Sequence, residues 1–182
     1  MSQGEGLARR ELARALDRLV RQTYSAGSAD GLVAVTVDGL GRIRSIGLDP
    51  WALDRLDGGA LSERLVEAYV ASREQGRKIV HDIVAHDLGI ETAALDRLRR
   101  GLPPYLDRLP PTVATASDDT GTCRATVDSG GDLLRLEVSR TARVLDAATL
   151  GNRAREAMTL AQDEAVHRFA AAMERAGGAV GA

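Results

Sequence analysis

The strongest constraint on this chain is a pattern written twice. Gly31-Leu32-Val33-Ala34-Val35-Thr36-Val37-Asp38-Gly39 recurs, altered but in phase, as Gly121-Thr122-Cys123-Arg124-Ala125-Thr126-Val127-Asp128-Ser129, ninety residues on. The downstream spacing holds too: Gly41 falls on Gly131, Ile43 on Leu133, Ile46 on Leu136 and Leu48 on Val138. A fixed offset over this length means that one supersecondary unit is present twice, and both copies must fold by the same local rules. The fold therefore has to accommodate two small sheets of one design.

In the first copy, Leu7 to Arg21 has the spacing of an amphipathic helix, with Leu7, Leu12, Leu16, Leu19 and Val20 near one face. Thr23 to Ser28 is a short candidate strand. Leu32 to Asp38 alternates, with Val33, Val35 and Val37 on one side, and the glycines of Asp38-Gly39-Leu40-Gly41 permit a tight reversal. Arg42 to Leu48 forms the return strand, and Asp49-Pro50 stops it, because proline has no amide proton for a ladder. A long helix is expected from about Ser62 to about His86, carried by Leu65, Tyr69, Ile79, Val80 and Ile83, with Gly89 as its C-cap. A helix of that length, roughly 37 Å, outruns a three-stranded sheet and should project beyond it.

The second copy keeps the order. Thr112 to Ser117, Cys123 to Asp128 and Asp132 to Ser139 match the strands, and Ala148 to Arg175 the long helix, now at an offset of eighty-nine. Its entry differs. Thr92 to Arg100 reads as a short helix, and Pro103, Pro104, Pro110 and Pro111 then exclude a continuous one. The expected organisation is unit one over 1–90, a short helix and proline-rich linker over 91–111, and a degenerate unit two over 112–182.

Composition narrows the function classes. The net charge is −2, so no global basic field draws the chain to DNA or to an anionic membrane, and any such binding must be local. Cys123 stands alone, which rules out an internal disulfide and suits a reducing compartment. No stretch approaches the apolar length of a membrane span, and the N-terminus lacks a signal-peptide core, so a cytoplasmic location without membrane contact is expected.

These residues together resemble the YbaB/EbfC family of small bacterial nucleoid-associated proteins, in the form found in actinobacteria. The resemblance rests on the Gly31-to-Gly39 hairpin strand, the Ile46-Gly47-Leu48-Asp49-Pro50 exit and the long charged helix from Leu61 to Lys78. Unit two departs from the pattern, with Ser139-Arg140 in place of Asp-Pro and Ser129 in place of glycine. The resemblance implies an α+β fold: two tandem α-β-β-β-α units, each a short antiparallel sheet with long helices, packed as an internal pseudo-dimer. It also implies a nucleoid-associated role, binding double-stranded DNA with little sequence selectivity. Some actinobacterial relatives accompany type VII secretion genes, so the alternative is a protein-interaction module serving a secretion system.

Within that frame the DNA-binding candidates are Arg9, Arg10 and Arg14 on the first helix and Arg73, Arg77 and Lys78 on the second. Each phosphate contact would release condensed counterions and steepen the salt dependence of binding. Glu11, Asp17, Glu74 and Asp82 are interspersed, so a solvated face of i,i+4 pairs is the competing account. On the last helix Arg153, Arg155, His167, Arg168 and Arg175 are balanced by Glu156, Asp163, Glu164 and Glu174, which casts unit two as a structural partner.

Cys123 aligns with inward-facing Val33 and is expected to be a buried small hydrophobe. His81 and His86 are five apart and do not converge on a metal, and Gly39-Leu40-Gly41 lacks the third glycine and helix of a phosphate loop. No catalytic constellation, metal site or cofactor is expected, and the chain is read as a non-enzyme. Trp51 is expected to plug the open edge of the sheet or the seam between units, with an exposed anchor for a partner as the competing account. Free strand edges leave a homo-oligomer open.

Overall fold

A computed structural model of the protein describes residue 14, residues 17–87 and residues 113–180, the side chains of 79–87 and 176–180 excepted. The end of a first helix, α1, runs over residues 17–21. Strands β1 (Thr23–Gly27), β2 (Val33–Asp38) and β3 (Ile43–Leu48) form one antiparallel sheet in the order β1-β2-β3. Two helices follow, α2 (Ala52–Arg55) and α3 (Gly58–Asp87). The second half repeats this with β4 (Ala114–Ser117), β5 (Cys123–Val127) and β6 (Leu133–Val138), a 3-10 turn over Arg140–Val144, and helix α4 (Ala147–Val180). Two three-stranded antiparallel sheets with long helices make the α+β architecture that the repeat predicts.

The two sheets agree in chemical detail. Asp38 Oδ1 accepts the amides of Leu40 and Arg42, and Asp128 Oδ1 those of Gly130 and Asp132, all at 2.9 Å. These side chains take the place of ladder carbonyls through the tight turn. Gly41 and Gly131 sit there at φ of +80° and +77°, a backbone region costly for any side chain. Both sheets carry a bulge at the same place, between Thr36 and Val37 and between Thr126 and Val127. The bulge resets the inward alternation, so Ile43 and Ile46, or Leu133 and Leu136, three apart, face the same core.

The long helices begin earlier than their apolar spacing indicates, at Gly58 rather than Ser62 and at Ala147 rather than Ala148. Asp57 and Asp146 are the reason. Their carboxylates accept the amides of Ala60 and Thr149 at 2.8 Å and so cap the first turns. Helix α2 has no counterpart in the expectations above. It arises because Asp49 Oδ1 takes the amide of Trp51 at 2.8 Å and turns Ala52 into the core.

Ser139 performs the same turn in unit two, accepting the amide of Thr141 at 3.4 Å. The loss of Asp-Pro there is thus a change of capping residue. That turn also overrules the expectation for Trp51, which is 63% exposed and plugs nothing. Ile79, Val80, Ile83, His81, His86, Gly89 and the 91–111 linker lie outside the described residues or side chains.

Each long helix crosses both sheets. Helix α3 packs on β1 and β2 of its own sheet and on β6 of the other, while α4 packs on β4 and β5 and on β3. One apolar cluster joins Val33, Val35, Leu65 and Tyr69 to Cys123, Val127, Leu136 and Met158. Beyond Ala165 no described side chain of α4 is buried, so its far end leaves the sheets behind.

Candidate nucleic-acid interface and the seam beside it

The six candidate cations fall into three situations. Arg9 and Arg10 lie outside the described residues. Arg14 is exposed on the first helix, and Lys78 is exposed on α3. Arg73 and Arg77, one turn apart on α3, share one partner, Asp132 in the β5–β6 turn. Arg73 Nε donates to Asp132 Oδ1 at 2.6 Å and Arg77 Nη2 to Oδ2 at 2.7 Å.

Burial separates these two. The Arg73 side chain is 18% exposed and also donates from Nη1 to the carbonyl of Leu40 at 3.1 Å. A Cβ on Gly41 would collide with its guanidinium, so the turn glycine makes room for it. Arg77 remains 60% exposed. Four of the six candidates are described; of these, Arg14, Arg77 and Lys78 lie open, whereas Arg73 is enclosed at a contact between units.

The seam has a polar centre. The carbonyls of Gly41 and Gly131, one from each hairpin turn, both accept from Gln162 Nε2 at 3.1 Å, and Gly131 also accepts from the Tyr69 hydroxyl at 3.0 Å. Tyr69 is buried, and desolvation pushes its pKa up to about 12, with Asp132 adding to the rise, so it acts as a neutral donor. Tyr69 and Gln162 gave no functional signal in the sequence. The sequence signal that could have pointed to this seam is the repeat position of Asp132, where unit one carries the opposite charge, Arg42.

Other cations are engaged in structure. Arg64 pairs with Asp30 at 2.7 Å and Glu67 at 3.4 Å, and its counterpart Arg153 pairs with Asp119 and with Glu156 at 3.8 Å. In both units the pair ties the long helix to the turn before the hairpin. Arg168 bonds Glu164 at 2.7 Å and the Val113 carbonyl at 2.8 Å, in keeping with the near-neutral last helix. Cys123 is buried and its thiol is pushed up to about 12 by desolvation and by Asp118, which agrees with a packing role.

Residues 4–86 match the model of the YbaB/EbfC DNA-binding family. This part of the chain is similar to the YbaB/EbfC family. The YbaB/EbfC match ends where α3 ends, so unit two lies outside it, as its altered motif requires.

The chain is similar to a nucleoid-associated protein of Thermobifida fusca, 27% identical over 93 residues, which covers 51% of this chain and 80% of that protein. It is also similar to a nucleoid-associated protein of Streptomyces avermitilis, 33% identical over 69 residues, covering 38% of this chain and 61% of that one. An uncharacterised Helicobacter pylori protein of known structure aligns with 47% of this chain and 98% of its own, at a TM-score of 0.38 and 18% identity, a likeness too loose to bear on the site.

Proposed function

We propose that this chain is a non-enzymatic, nucleoid-associated protein of the cytoplasm that binds double-stranded DNA with little sequence selectivity. The YbaB/EbfC match of residues 4–86 is the observation that carries the reading. Unit one (1–90) supplies the binding helices, the segment 91–111 links the halves, and unit two (112–182) serves as partner in an internal pseudo-dimer. The exposed cations Arg14, Arg77 and Lys78, with Arg9 and Arg10, meet phosphates. Arg73 acts mainly by holding α3 against unit two, which positions the other cations.

Binding of this kind has a measurable signature. Affinity for a labelled generic duplex, read by fluorescence anisotropy, should fall log-linearly with salt, with a slope of about 0.9 per phosphate contacted. Arg77→Ala with Lys78→Ala should flatten that slope by about 2 and weaken duplexes of unrelated sequence alike. No binding at low salt would refute the DNA reading, and an unchanged slope would remove these two residues from the interface.

A further inference from the structure

The seam between the units is charged oppositely on its two sides. Arg73 on α3 meets Asp132 in the second hairpin turn, and Asp163 on α4 meets Arg42 in the first at 3.5 Å. In the repeat, Asp132 is the counterpart of Arg42, while Gln162 and Asp163 are the counterparts of Arg73 and Glu74. The two turns thus bear opposite charges at one equivalent position. A second unit one in place of unit two would set Arg42 against Arg73. A second unit two in place of unit one would set Asp132 against Asp163.

The polar centre is equally one-sided. Tyr69 supplies the phenol and Gln162 the amide that together serve both turn carbonyls. The repeat counterpart of Tyr69 is Met158, which has no proton to donate, and that of Gln162 is Arg73, a largely enclosed cation in need of an anion. Two copies of unit one would therefore enclose two such cations with no Asp132 to receive them. Enclosure weakens salt screening, so the Arg73 contact discriminates more strongly than the half-exposed Arg42–Asp163 pair.

We propose that this seam is a heterotypic recognition surface: unit one accepts unit two and rejects a second copy of itself, so the chain closes on its own second half. Repulsive mispairing is a general route to specificity, and it acts here through two turn residues of opposite sign. Tethering reinforces the choice, because a covalently linked partner is present at an effective concentration on the order of millimolar.

Single substitutions in the 182-residue chain recreate each rejected pairing. Asp132→Arg writes the turn residue of unit one into unit two, and Arg42→Asp does the reverse. Asp132→Arg should lower the Tm by about 4 °C or more, and Arg42→Asp by less. Adding Arg73→Asp to Asp132→Arg should recover at least half of the loss. Asp132→Asn, which removes attraction without adding repulsion, should fall between wild type and Asp132→Arg and serves if the latter does not fold.

Closure within one chain is read separately. Arg42→Cys with Asp163→Cys, treated with a short bismaleimide, should cross-link inside one chain, buried Cys123 being unreactive. A covalent dimer as the main product would overturn closure. Melting of Asp132→Arg within about 1 °C of wild type, or an Arg73→Asp loss that adds instead of offsetting, would overturn the charge code.

Discussion

At the scale of single residues, the carboxylates of the turns are the most informative groups. Asp30 accepts from the Ser28 hydroxyl at 2.7 Å, from Arg64 at 2.7 Å and from the amide of Leu32 at 3.1 Å. These contacts hold its pKa down to about 2, with the Ser28 bond the largest cause. A carboxylate whose pKa falls on folding stabilises the fold above its ordinary value near 3.8, and that contribution disappears as pH drops through about 2. Wild type and Asp30→Asn should therefore differ in urea midpoint at neutral pH and converge between these limits. A gap that stays constant to pH 2 would remove Asp30 from the acid response. Ser28 and Leu32 are local partners, but Arg64 lies 34 residues away and only folding delivers it.

Elements show where local rules are overruled. Gly58 and Gly151 stand near the starts of α3 and α4, where alanine is ordinarily better by about 1 kcal/mol. Here a Cβ at Gly58 would lie 2.9 Å from the carbonyl oxygen of Val138, and one at Gly151 2.7 Å from that of Ile46. Those carbonyls belong to the third strand of the opposite sheet, so the glycines let each helix cross a neighbouring backbone closely. Gly58→Ala and Gly151→Ala should each destabilise by about 1–3 kcal/mol in chemical denaturation, the reverse of their helix propensity. A gain in stability would mean that the crossing yields easily. A sequence reader sees helix-weakening glycines and begins the helix late, because the obstructing carbonyl is remote in the chain.

For the molecule as a whole, the shared apolar cluster matters most. Side chains of both units fill it and each long helix spans both sheets, so neither unit keeps its interior without the other. Unfolding should accordingly be one event. Far-UV circular dichroism, which reports both units, and the reactivity of the Cys123 thiol, which reports the second core, should give coincident urea transitions. Exposure of Cys123 ahead of the loss of helix would show that unit two opens independently. At this scale too, Arg73 and Arg77 share a contact to Asp132 yet differ in what they leave free. Helix periodicity cannot separate two arginines on neighbouring turns when the partner that encloses one of them comes from the other unit.

Strand order, the paired hairpins and the burial of Cys123 were legible in the sequence, because the interactions behind them span few residues and were written twice. The family resemblance of the first half was legible for the same reason. Tertiary structure alone decided the exposure of Trp51, the joining of the two cores, and the division of cations between the seam and the surface. Those outcomes depend on contacts between units, such as Gln162 with the Gly41 carbonyl across 121 positions, and no local spacing encodes them.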